Sequence, residues 1–223
     1  GFRWWLERIG TQLARFDLLR IDHFRALESY WAIPAGASTA RLGEWQLGRG
    51  EALLTALRAE MGEIPLVAED LGIITDEVRA LRDRFEIPGM VVLHFAFDGS
   101  ADNPYLPAHH RRNAVVYTGT HDNDTTVGWY TSLDSRACEI VHDALGVGPA
   151  PRVPDFLIEA AYASTAALAI VPMQDLLARD AGARMNTPGT VVGNWRWRFA
   201  WRDVPEALAA VSRERAIRSG RTR

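Results

Sequence analysis

The sequence contains no lysine: all 25 basic residues are arginine. That excludes Schiff-base chemistry, which needs a lysine amine, and a phosphate-cradling P-loop, whose lysine reaches the phosphates. There is a single cysteine, Cys138. An internal disulfide is therefore impossible, and a reducing compartment, the cytoplasm, is the expectation. Long apolar runs are lacking, so no segment reads as a membrane span. Residues 1–10 carry Arg3, Glu7 and Arg8 and do not read as a signal peptide. Basic excess is also lacking. The net charge is −3, which gives no footprint for nucleic acid. An initiating methionine is absent and the chain opens inside an amphipathic pattern, so a fragment or processed chain is expected.

What is present is ordinary globular material: 48% of 223 residues are hydrophobic and 24% charged. Helical periodicity is expected over residues 2–14, 51–61, 75–85, 135–145, 155–165 and 205–217, with residues 218–223 frayed. Thr75 is expected to cap its helix, with Glu77 near the N-terminus. Five short apolar runs read as strands, at residues 16–21, 65–68, 90–97, 114–117 and 166–171. A loop bearing glycine and tryptophan fills residues 30–50. Apolar runs without polar alternation suit parallel strands buried on both faces. Repeated βα units imply a doubly wound sheet or a barrel. A full (β/α)₈ barrel needs eight strands and about 250 residues. Five strands with long loops fit an α/β fold that is a partial TIM barrel, strands four to eight with their helices. Residues 1–223 would then form the C-terminal part of one catalytic barrel, with its N-terminal half absent and an open edge.

Four of the runs end in ionisable residues, and the C-terminal strand ends are where a barrel keeps its chemistry. Asp22, between Arg20 and Arg25, is held ionised by neighbouring positive charge, as a nucleophile requires. A salt-bridged loop Asp reads equally well. Glu69 follows a wholly apolar strand, where partial burial favours a proton donor; bracing of the next turn is the alternative. Asp70 points the other way along the strand and reads as structural. Asp122 sits in Thr118-Gly119-Thr120-His121-Asp122-Asn123-Asp124, the most polar stretch of the chain. A metal site is a rival reading there, weakened by the lack of a second His at helical spacing. Three strand-end carboxylates suit glycoside chemistry, with one nucleophile, one acid and a third group on sugar hydroxyls. Tyr30, Trp31, Trp45 and Trp129 follow strands and could stack on sugars or simply pack their loops.

These motifs resemble those of the 4-α-glucanotransferase (amylomaltase) family. Residues 16–25 and 30–34, FDLLRIDHFR and YWAIP, are similar to its nucleophile region. Residues 68–72, AEDLG, are similar to its acid/base region. Residues 88–97, 117–126, 171–175 and 184–195 resemble its later blocks, so the match runs over nearly the whole chain. The resemblance implies Asp22 as nucleophile, Glu69 as acid then base, and Asp122 as transition-state stabiliser. Arg20 would hold Asp22 ionised, and His121 and Asn186 would contact sugar. It implies transfer of α-1,4-glucan segments (maltodextrin, starch, glycogen) to a sugar 4-hydroxyl, with no organic cofactor and no metal; charge and hydropathy point to no nucleic acid and no membrane as partners. An amylase-type hydrolase and a non-catalytic glucan-binding fragment are the alternatives. Departures from the family pattern are Ala26 for Gly, Arg49 for Pro, and His94 for Gln on the sixth strand.

Overall fold

The computed structural model describes residues 1–222; Arg223, at the end of the expected frayed tail, lies outside them. Two compact units are present, one spanning Gly1–Met90 and a second beginning at Val91. Strands and helices alternate in both, so the fold is α/β.

In the first unit, α1 (Arg3–Leu13) leads to β1 (Leu19–Ile21), and α2 (Gly50–Met61) leads to β4 (Leu66–Ala68). β1 and β4 are parallel, with Leu19, Arg20 and Ile21 opposite Leu66, Val67 and Ala68. α2 buries Leu53, Leu54 and Leu57 on one face, and α3 (Asp76–Arg84) buries Val78 and Leu81. These residues close over Phe24, Leu66 and Ile87 as one apolar core. Fully burying a ring such as Phe24 contributes roughly 1.5–3 kcal/mol. Thr75 occupies the position before α3, but its hydroxyl makes no capping bond. The acids Asp76 and Glu77 complement the positive helix end instead.

Residues 30–50 are not simply a loop. They contain an antiparallel hairpin of β2 (Ser29–Ala32) and β3 (Glu44–Leu47), with Trp31 opposite Trp45. The two rings meet edge to face at 5.5 Å. Cross-strand aromatic pairs stabilise such ladders, but the long connection lacks the two-residue turn that announces a hairpin.

The second unit carries the sheet order β5 (Gly89–Val92), β6 (Ala114–Tyr117), β7 (Leu168–Ile170). β6 and β7 are parallel. α5 (Ser135–Leu145) and α6 (Asp155–Ala163) supply Val141, Phe156, Leu157 and Ala161 to a core with Leu93 and Val116. The expected strand over residues 90–97 ends at Val92. A 3₁₀ turn, Leu93–Phe95, follows and carries His94 off the strand. Burial on both faces holds for β4 and β5 but not for β1 or β7.

The last helix, α8 (Leu208–Arg218), packs through Arg215, which ion-pairs with Asp155 and Glu159 of α6. The tail beyond it is not frayed at Arg221. That guanidinium donates to the carbonyls of Tyr162, Ser164 and Ala166 at 2.7, 2.6 and 2.9 Å, serving carbonyls left open where α6 ends.

Candidate active site

In the first unit, the parallel register of β1 and β4 puts Asp22 and Glu69 at neighbouring strand ends. Three bonds fasten the turn after Asp22 to Glu69. The Glu69 N–H donates to the Ile21 carbonyl at 2.9 Å, and Phe24 N–H donates to the Glu69 carbonyl at 3.0 Å. His23 N–H donates to Glu69 Oε2 at 2.6 Å. Leu71 N–H donates to the other carboxylate oxygen at 3.2 Å. His23 takes a left-handed conformation, φ 49°, which costs about 1–2 kcal/mol for an L-residue. That turn aims its N–H at the Glu69 carboxylate while Phe24 plugs the core.

Arg20 lies along β1. Its Nε donates to the Met90 sulfur at 3.3 Å, and its Nη2 meets Asp22 Oδ1 at 2.7 Å. Asp22 is 77% exposed at its side chain, so this pair orients the carboxylate and adds little stability. Arg25 takes no part. It donates to the Ile73 carbonyl and lies over the Trp45 ring at 4.4 Å. Asp70 is the structural acid its alternation predicted. Buried, it accepts the Met90 N–H at 2.7 Å and pairs with the buried Arg82.

In the second unit, the loop after β6 presents His121 and Asp122, both partly exposed. Asn186 Nδ2 donates to Asp122 Oδ1 at 2.6 Å, and His121 Nε2 stands 3.3 Å from Oδ2. Asn186 N–H donates to the His121 carbonyl at 3.1 Å. Arg184, which the sequence reading did not single out, bridges the group. It donates to the carbonyls of Asp122 at 2.7 Å and Asn186 at 2.8 Å. Trp195, at φ 61°, sets its ring 5.2 Å from that of His121. A cavity of about 160 Å³ opens here, lined among others by His121, Asp124, Arg184 and Trp195.

Below this loop lies a buried polar group that sequence reasoning noticed only as strand-end residues. α4 (Thr126–Thr131) starts directly after the loop, capped by the Thr125 hydroxyl. Asp175, on α7 (Met173–Leu176), accepts the Thr118 hydroxyl at 2.6 Å. It also accepts the Thr126 N–H at 2.7 Å and the Thr126 hydroxyl at 2.8 Å. Burial pushes the Asp175 carboxyl above the ordinary range, and the Thr118 and Thr126 hydrogen bonds oppose that rise. His94 Nε2 lies 3.1 Å from Thr126 Oγ1, its ring stacked on Trp129 at 4.6 Å. Burial pushes the His94 pKa down to about 3, so the ring is neutral. Trp129 is thereby committed to packing, whereas Tyr30 and Trp45 are exposed.

The described residues contain no group of three or more His, Cys, Asp or Glu side chains placed to hold a metal. None of their helices is long and apolar enough to cross a membrane.

A family model described as 4-alpha-glucanotransferase matches residues 1–203. A 4-alpha-glucanotransferase of Synechocystis is 51% identical over 201 residues, covering 89% of this chain and 40% of the relative. One from Thermus thermophilus is 48% identical, covering 89% of this chain and 41% of its own length. Among solved structures, the amylomaltase of Streptococcus agalactiae in complex with acarbose superposes with a TM-score of 0.95 at 33% identity. It covers all of this chain and 45% of that one. The chain thus spans about two fifths of the length of these relatives.

Proposed function

The chain belongs to the 4-alpha-glucanotransferase family, and from that premise we propose that it carries the reacting carboxylates of a retaining glucan transfer. In this reading β1, β4, β5, β6 and β7 supply strands four to eight of a (β/α)₈ barrel. The substrates are α-1,4-glucans, a reading supported by the relatives' names and by the acarbose held in the Streptococcus structure.

The observation that carries the reading is the pairing of Asp22 with Glu69 at adjacent parallel strand ends. Parallel neighbours lie about 4.8 Å apart, which brings both side chains within reach of the roughly 5–5.5 Å carboxylate separation of retaining enzymes. Asp22, exposed and oriented by Arg20, attacks the anomeric carbon. Glu69 protonates the departing glycosidic oxygen. The resulting glycosyl ester on Asp22 is then attacked by the 4-hydroxyl of an acceptor sugar, whose proton returns to Glu69. Asp122 accepts sugar hydroxyls and favours the charge that develops on the ring, with His121 and Asn186 beside it. No step calls for a metal or an organic cofactor. The lone Cys138 suits a reducing compartment such as the cytoplasm.

Incubating the full-length protein with maltotriose tests this. Longer maltodextrins plus glucose are expected, and Asp22→Asn should lower kcat by about 10³-fold or more. Maltose and glucose as the sole products would refute transfer. An unchanged rate in Asp22→Asn would refute the nucleophile assignment.

A further inference from the structure

We propose that Asp175 is a positioning residue for Asp122, acting from beneath the loop without touching substrate; this rests on the role given to Asp122 above. The loop of residues 119–125 carries His121 and Asp122. Its two flanks, Thr118 at the end of β6 and Thr126 at the start of α4, are both fully buried. Both are tied to one carboxylate, by the hydroxyl of Thr118 and by the N–H and hydroxyl of Thr126. A single side chain therefore sets the span the loop must bridge. The space under the loop is filled as well. A Cβ on Gly119 would lie 2.7 Å from His94 Cε1, so the backbone rests on that ring, and the ring rests on Trp129.

The clamp has a direction. Both threonine hydroxyl protons point at Asp175 Oδ2. Thr126 Oγ1 can then only accept from His94, so His94 carries its proton on Nε2. A carboxylate accepts from all three donors and offers none. An asparagine in its place has to donate to the two hydroxyl oxygens from Nδ2. The Thr126 proton is then released toward His94, and the ring takes the Nδ1–H tautomer. The polarity of the chain reverses, and the loop loses the contraction that three bonds to one charged group supply.

The consequence for transfer follows from placement. A misplacement of about 1 Å in a group contacting the transition state costs on the order of 100-fold in rate. The test measures maltotriose disproportionation and the ¹⁵N shifts of His94 in the full-length protein and in four variants. Asp175→Asn and Thr126→Val should lower kcat by about 100-fold, more than they raise KM. Thr126→Ser, which keeps the hydroxyl, should recover most of the rate. His94 should report Nε2–H in the parent and Nδ1–H in Asp175→Asn. With Asp122→Ala inactive, a kcat in Asp175→Asn within about threefold of the parent would overturn the inference. So would an equal loss in Thr126→Ser and Thr126→Val. An Asp122→Ala rate equal to the parent's would instead overturn the reading of Asp122 itself.

Discussion

Replacing His94 with glutamine should make the protein less stable near neutrality and more stable in mild acid. His94 is buried, and its pKa lies at about 3 against an ordinary 6.5. The unfolded chain therefore binds a proton at this ring that the folded chain refuses. Above pH 6.5 neither state is charged, and the ring costs nothing by this route. As pH falls below 6.5, stability is lost at about 1.36 kcal/mol per unit until the folded ring also titrates near 3. At pH 5.0 the loss is about 2 kcal/mol. Glutamine keeps an amide N–H for Thr126 Oγ1 and has no such proton to bind. What it gives up is the stacking on Trp129, worth about 0.5–1.5 kcal/mol. In urea titrations at pH 7.5 the parent should lead His94→Gln by about 1 kcal/mol. At pH 5.0 the order should reverse by a similar amount. His110 is also buried with a lowered pKa, but both proteins share it and it cancels in the difference. Parallel loss of stability by parent and variant between the two pH values would refute the assignment of His94 as a buried, neutral donor.

Arg82→Ala should cost about 3–5 kcal/mol in urea unfolding, because it leaves Asp70 buried without its partner; a loss under 1 kcal/mol would contradict a load on this pair. Gly48→Ala should prevent the β2–β3 hairpin from docking, since the new Cβ would stand 2.2 Å from the Leu27 carbonyl oxygen; hydrogen exchange at the Gly48 amide, bonded to Glu28 at 2.6 Å, reads the result. Arg20→Lys should lower kcat roughly tenfold, about the loss of one charge-assisted bond, because an ammonium cannot reach both Met90 and Asp22 as the guanidinium fork does; an unchanged kcat would show that charge alone suffices.

The α/β order was legible because each buried strand is a short apolar run and each long helix keeps its period. The hairpin was not. Its pairing of Trp31 with Trp45 is a contact across an eleven-residue connection, and nothing local marks it. The end of β5 was not legible either. Leu93-His94-Phe95 continues the apolar run, yet the backbone turns so that His94 can stack on Trp129 and reach Thr126. That turn is decided by partners more than thirty residues away. Arg221 shows the same limit in the tail: a lone arginine near a chain end reads as frayed until the open carbonyls of α6 supply its partners.

The carboxylates make the sharpest case. Asp22, Glu69, Asp70, Asp122 and Asp175 all stand just past apolar runs, and sequence position separates them poorly. Burial divides them. Asp70 and Asp175 are 8% and 1% exposed and accept two and three hydrogen bonds from their own chain. Asp22, Glu69 and Asp122 keep surface open to an incoming molecule. An acid sealed from solvent cannot exchange a proton or meet a substrate without breaking the packing around it. An acid left open to solvent at a strand end can. The proposed reacting set is therefore set apart by which side of the strand end each residue faces. The parallel register that puts Asp22 beside Glu69 also turns Asp70 inward to Arg82, so one alternation separates the proposed acid Glu69 from its scaffolding neighbour. The same division underlies the leverage proposed for Asp175: sealed from solvent and holding three donors, it sets the position of the partly exposed Asp122 without entering the chemistry.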